Sequence, residues 1–262
     1  MQIKFFTLAI FLVSISSSAQ NIRTSYIDSI VQRSLTTMPQ AGVAVAVVQN
    51  GKVVHCKGYG VKSAETKEAV NENTLFCIAS NSKAFTASAL AILVDRGKIK
   101  WDDKVIDYIP EFKMYDDYIT KNFTITDLLT HRSGLGLGAG DLMFIPDGAD
   151  FTIDDIVRSF QYQRATSAFR TKYDYDNLLY IVAGEVIHRV SGKPWDEFIE
   201  TEIFNPIGMK SSVAYRQNLK NQKSVALPHS SEGGKVEVLT PHHDDLKIFG
   251  AAGGIHASVD DL

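Results

Sequence analysis

Cysteine is nearly absent from this chain: Cys56 and Cys77 are the only two in 262 residues. Both sit in apolar contexts, Val-Val-His-Cys and Leu-Phe-Cys-Ile, and are expected as buried free thiols rather than a bridge. Their spacing matches no zinc site. There is no block of like charge, no internal repeat and no low-complexity segment. The formal net charge is only −3 and the basic residues are scattered, which argues against a nucleic-acid partner. A long apolar run is missing too. The longest candidate, Phe5 to Ile15, is too short for a comfortable membrane span.

That short run has another reading. Lys4 supplies a positive start, Phe5 to Ile15 an apolar centre, and Ser17-Ser18-Ala19 a small-residue cleavage site before Gln20. Residues 1–19 are therefore expected to be a secretory signal peptide, with the product secreted or periplasmic. No cysteine stands near the cleavage site, so a lipoprotein signal is not expected. The remaining 20–262 have the length and composition of one soluble globular domain, or of one domain with a large insertion.

The apolar spacing of Ile22, Ile27, Ile30, Val31 and Leu35 predicts a helix over 21–37. Two valine-rich runs follow, 41–49 and 52–61, joined by Asn50-Gly51, the strongest short hairpin signal. An Ala-rich helix opens near Ser80 and closes at Asp95-Arg96-Gly97. Beyond it the chain reads mainly as helices and loops. A helix starts near Thr126, Thr130 to Gly134 is a loop, Leu178 to Val190 is a strong helical pattern closed by Ser191-Gly192, and Lys193-Pro194 begins another. A two-stranded hairpin is marginal alone. No good partner strands are offered by the helical middle, and the chain stops just after Ala251-Ala252-Gly253-Gly254. A C-terminal part of the fold is therefore expected to be missing from this sequence.

Chemistry is suggested first by Ser80-Asn81-Ser82-Lys83. Serine and lysine three apart at a helix start share one face. A desolvated neutral amine beside a hydroxyl can take its proton. The helix start also supplies N–H groups suited to a developing oxyanion. Such a triplet arises by chance as well, as an N-cap serine followed by a solvated lysine. Tyr175-Asp176-Asn177, just before the Leu178 helix, is the second signal. Alone it equally fits an aromatic packing residue beside an Asn N-cap.

Together the two triplets resemble the serine β-lactamase and penicillin-binding-protein superfamily, in particular the branch holding class C β-lactamases, related DD-carboxypeptidases, esterases and D-amino-acid peptidases. The blocks Phe76 to Ala87, Leu93 to Pro110, Ile125 to Leu135, Tyr175 to Gly184 and Ile203 to Met209 are similar to the family's in their order. The resemblance implies a mixed α/β (α+β) fold, an antiparallel sheet flanked by helices with a large helical insertion, and a site between the two parts. It implies a serine hydrolase that forms an acyl-enzyme on a β-lactam, a D-Ala-D-Ala-like peptide or an ester, with no metal or cofactor. Ser80 would be the nucleophile, Lys83 and Tyr175 the proton-handling pair, and Asn177 the residue holding substrate amide and lysine. An esterase or D-aminopeptidase, and an acylated binder or inactive fragment, are the alternatives. The family's third motif, Lys-Thr-Gly or His-x-Gly, has no suitable counterpart, since Ala252 to His256 lies too early. It and one oxyanion N–H are expected beyond Leu262.

The other candidates have plainer readings. His131 is expected to make a structural hydrogen bond in its loop, Ser133 to be a turn residue, and His188 to sit on a helix surface or in the core. His242-His243-Asp244-Asp245 is read as a solvated loop rather than a metal site.

Overall fold

The structure, a computed structural model, describes residues 22–144, 150–214, 216–239 and 247–262. The expected leader, 1–19, and the His242–Asp245 run lie outside the described residues.

The N-terminal part is a helix on a hairpin. Helix α1 (Thr24–Thr37) turns Ile27, Val31 and Leu35 onto Tyr59, Val43, Val45 and Val47 of strands β1 (Gly42–Gln49) and β2 (Lys52–Gly60). Their spacing of four places all three on one face. The hairpin turn has positive φ at both Asn50 (52°) and Gly51 (72°). That is the mirror-image turn matching the strand twist, and it selects Asn-Gly. The register slips between Val47 and Val48, so Val54 is left without an opposite residue and the ribbon bends there. Among the described residues the two strands pair only with each other. One more clamp joins α1 to β2: the Tyr59 hydroxyl donates to Asp28 (2.7 Å), and His55 Nε2 lies 2.7 Å from the same hydroxyl.

The helical part is built around one buried helix. After β3 (Phe76–Cys77) come α2 (Ser82–Asp95), α3 (Val105–Tyr108), α4 (Asp117–Asn122), α5 (Ile125–Leu129), α6 (Ile153–Ser159), α7 (Leu178–Ser191), α8 (Trp195–Ile199) and α9 (Asn205–Ile207). Residues 178–187 of α7 are all buried, because α2, α3, α5, α6 and α8 pack around it. Short strands β4 (His229–Ser230) and β5 (Glu237–Val238) pair with each other; then come α10 (Gly250–Gly253) and β6 (His256–Ala257). β6 pairs antiparallel with β3, which brings the end of the chain beside the segment leading to Ser80.

The mixed α/β architecture, with small antiparallel sheets and a mostly helical middle, is therefore as read from the sequence. Two details differ. Helix α5 begins at Ile125, because Thr124 and Asp127 cap it reciprocally. Cys77 is exposed rather than buried: the alternation of β3 turns Phe76 inward and Cys77 outward, while Cys56 is half-buried and both thiols are free.

Asp127 also holds the loops around the site. Its buried carboxylate accepts from Arg170 Nε (2.8 Å) and Nη2 (2.6 Å) and from Thr124 N (2.9 Å) and Oγ1 (2.8 Å). Backbone bonds from Thr166 to Gly134, from Arg170 to Arg132 and from Asp174 to His131 zip segment 166–174 onto loop 131–134. Burial pushes the Asp127 carboxyl up, but the bonds from Arg170 and Thr124 outweigh it and hold it below its usual value. A carboxyl depressed in the folded state stabilises above its unfolded value of about 3.9 and loses that contribution as the pH falls through the folded one. Asp127→Ala is expected to cost about 1–3 kcal/mol, because it removes the acceptor of the bonds from Arg170 and Thr124, while the half-exposed Arg170 can turn to water. Urea denaturation checks this, and the variant should also lack wild type's extra loss of stability below about pH 4; an unchanged midpoint would remove the clamp.

Candidate active site

The serine sits on a strained corner. Ile78 donates its N–H to Ile255 O (3.0 Å) as the chain leaves β3, and Asn81 returns two bonds to Ile78 O, from its backbone N (3.1 Å) and its Nδ2 (2.9 Å). Between them Ala79 adopts φ +46°, the left-handed region that costs an L-residue roughly 1–2 kcal/mol. This bend ends β3 abruptly and starts α2 one tight turn later, so Ser80 is exposed at the corner.

Lys83, one turn on, is buried beside it. Its ammonium donates to Asn177 Oδ1 (2.7 Å), to Ala252 O (2.7 Å) and to Ser80 Oγ (3.3 Å). Three donors meet three acceptors. The nitrogen also lies 4.7 Å from the centre of the Tyr175 ring and 5.3 Å from that of Tyr180. Burial lowers its pKa, against the opposing pull of Tyr175, Asp141 and Asp176.

Tyr175 completes the contacts of Ser80, its hydroxyl donating to Ser80 Oγ at 2.7 Å. Asn177 closes the circle. Its Oδ1 faces Lys83 and its Nδ2 donates to Asp141 Oδ1 (3.1 Å) and Oδ2 (3.2 Å). The two oxygens of one carboxylate lie close together, so they share one N–H and the second is free for a ligand. Asn177 is not the side-chain cap of α7. Asp176 is, its Oδ1 accepting from Leu178 N (2.9 Å) and Leu179 N (3.4 Å). Burial pushes the Asp176 carboxyl up to about 7.

The four residues singled out by motif, Ser80, Lys83, Tyr175 and Asn177, are thus brought into one bonded cluster. Several neighbours escaped the sequence reading. Asp141 stands in a glycine-rich loop with no spacing signal, although Asn177 depends on it for its orientation. Ser82 Oγ accepts from Ile255 N (3.1 Å), and Thr86 Oγ1 donates to Ala251 O (2.7 Å) while accepting from Trp195 Nε1 (3.0 Å). These bonds fasten residues 251–255 along one face of α2. Gly184 permits the approach, since a Cβ there would lie 2.7 Å from that of Ala251. Their signal, hydroxyls on the Lys83 face of α2, was available but had no visible partner. Of the plainer candidates, His131 makes a structural hydrogen bond, but not within its loop: its Nδ1 accepts from Asp176 N (3.1 Å), far along the chain; Ser133 Oγ accepts from Leu135 N as a turn residue does, and His188 is on the surface beside Glu185.

Asp141→Ala should leave the Asn177 amide free to turn and slow covalent labelling of Ser80 by a fluorophosphonate roughly tenfold. Asp141→Glu should restore part of it. A labelling rate equal to wild type in Asp141→Ala would exclude the orienting role.

A model described as Beta-lactamase matches residues 27–262. An unguisins hydrolase of Aspergillus campestris is 34% identical over 188 residues, covering 70% of this chain and 35% of that protein. A putative penicillin-binding protein, PbpX of Bacillus subtilis, is 29% identical over 247 residues, covering 94% and 59%. The chain thus spans less than two thirds of either relative. Among solved structures, the octameric penicillin-binding protein homologue from Pyrococcus abyssi superposes with a TM-score of 0.78 at 24% identity, over 92% of this chain and 55% of that one. A class C beta-lactamase does so with a TM-score of 0.73 at 23% identity, over 91% and 62%. These likenesses show the fold, and the match over almost the whole described chain shows the lineage: the protein belongs to the beta-lactamase family.

Proposed function

We propose that this protein is a serine hydrolase that works through an acyl-enzyme, with Ser80 as nucleophile. The observation that carries the reading is the position of Ser80 Oγ, 2.7 Å from the Tyr175 hydroxyl and 3.3 Å from Lys83 Nζ. A serine hydroxyl is a weak nucleophile until a neighbour takes its proton. Lys83 and Tyr175 form that neighbour as a coupled pair which shares protons. Burial makes the neutral amine accessible, and the ammonium that results from proton uptake has acceptors waiting in Asn177 and Ala252. The carbonyl carbon of the substrate accepts Oγ, and its oxygen develops charge beside the backbone N–H of Ser80, the oxyanion donor at this corner. The leaving group departs with the proton held by the pair. Water then repeats the sequence on the acyl-enzyme, giving up its proton to the same pair.

The free N–H of Asn177 suits an amide or β-lactam carbonyl beside the scissile bond. The acyl donors proposed are a β-lactam, a D-amino-acid peptide or an ester, in the manner of the class C branch; a small molecule or peptide is the partner, and the pair of groups on Ser80 calls for no cofactor. The relatives named as a penicillin-binding protein and a hydrolase of unguisins are consistent with different acyl donors on one site. Residues 1–19 support a secreted or periplasmic location. Among the described residues no helix is long and apolar enough to cross a membrane.

A fluorophosphonate or labelled β-lactam is expected to attach to Ser80, with the adduct located by mass spectrometry; an adduct on Ser82 or Ser133, or labelling that survives Ser80→Ala, would refute the assignment. A chromogenic cephalosporin, a short acyl ester and a D-Ala-D-Ala peptide then separate the substrate classes. Lys83→Arg is expected to lose most of the acylation rate although it keeps the charge, because arginine stays protonated at any working pH. Near-normal acylation by that variant would reduce Lys83 to a fixed cation. Wild-type acylation should rise with pH toward the ordinary lysine value of about 10.4, and reach half its maximum below it.

A further inference from the structure

His131 is buried against the Tyr175 ring, and the reaction as proposed does not use it. Its contacts lie on both sides of Tyr175. The His131 carbonyl accepts from Asp174 N (2.9 Å), and its Nδ1 accepts from Asp176 N (3.1 Å). The ring centre lies 4.5 Å from that of Tyr175 with 30° between the planes. Tyr173 meets it edge-on at 5.4 Å and Tyr180 lies at 5.3 Å. Because Nδ1 accepts, the ring must be the neutral tautomer with its proton on Nε2. Its surroundings keep it so: burial, then the nearby Lys83 charge, push its pKa down to about 4. His131 itself adopts φ +55°, a conformation the chain keeps only where surrounding contacts enforce it.

We propose that His131 is a positioning residue for Tyr175, its neutral imidazole holding the backbone at Asp176 just after the phenol and backing the ring so that the hydroxyl stays on Ser80 Oγ. The loop fold does not need it for this. Segment 166–170 is tied down separately through Gly134, Arg132 and the Asp127–Arg170 pair. In the stretch 173–176 the Tyr175 carbonyl also accepts from Gly138 N (2.8 Å), and the side chain of His131 adds the bond to Asp176 and the surface against the Tyr175 ring. A phenol 2.7 Å from its partner has little room to drift, since a misplacement near 1 Å costs roughly a hundredfold in rate.

The inference rests on Ser80 and Tyr175 acting as proposed above, and its test separates the two. His131→Phe keeps a flat ring and removes the acceptor. His131→Asn keeps a carbonyl acceptor, tolerates the positive φ and removes the ring. In each, fluorophosphonate labelling of Ser80 is expected to slow roughly ten- to a hundredfold. In a Tyr175→Phe background the same changes are expected to slow it less than twofold further, because the hydroxyl being positioned is already gone. Equal losses in both backgrounds, or wild-type labelling in the single variants, would overturn the proposal. Crystal structures of both variants give a readout independent of reactivity: the Tyr175 hydroxyl should leave hydrogen-bonding distance of Ser80 Oγ, and an unmoved hydroxyl overturns the proposal even if Ser80 proves unreactive. An unlabelled wild type with a displaced hydroxyl in the variants would instead count against the proposed function alone.

Discussion

A buried ammonium is the constraint from which the rest of the site follows. A cation removed from water costs several kcal/mol unless every N–H finds an acceptor. Lys83 finds three, and they come from three places: the turn at Ser80, the start of α7 at Asn177 and the carbonyl of Ala252 in α10. Those elements therefore have to converge on α2. The hydroxyls of Ser82 and Thr86, the indole N–H of Trp195 and the missing side chain of Gly184 are the means by which α10 is held near enough to α2 and α7.

The way negative charge is kept at a distance is equally consequential. A carboxylate in direct contact would lock the lysine in its charged form. Here Asp141 reaches Lys83 only through the Asn177 amide, which accepts from the ammonium at one end and donates to the carboxylate at the other. The amide passes on orientation and keeps the carboxylate from direct contact with the ammonium. Lys83 is fixed in place without being fixed in charge: burial holds its pKa below the usual lysine value in spite of two carboxyls nearby.

Local features were legible in the sequence, and partnerships across long stretches were not. Asn50-Gly51 forced its turn, Gly97 and Gly192 stand in positive φ just past α2 and α7, and the apolar spacing of α1 and α7 reports the faces they bury. The cluster of Ser80, Lys83, Tyr175 and Asn177 was legible through family likeness, since nothing in the spacing of residues 83 and 177 says that they meet. Asp141, Thr86, Trp195 and the pairing of β3 with β6 had no local signature, because each takes its meaning from a residue far along the chain. Asp176 shows the limit of a motif read by letters: the middle residue of Tyr-Asp-Asn, given no role in the sequence, caps α7, while the asparagine turns to the lysine. Cys77 was misjudged because apolar neighbours in sequence say little about which side of a two-residue strand faces out.

The bond from Lys83 to Ala252 spans 169 residues of chain. Contacts of such separation form only after the intervening chain is ordered. During synthesis, when the stretch through α7 has left the ribosome but α10 has not, the amine lacks one acceptor and the clasp along α2 has nothing to grip. The surroundings of the nucleophile are thus incomplete until α10 has emerged, and a shorter nascent chain carries a serine and a lysine in the right order without the contacts that would make them reactive.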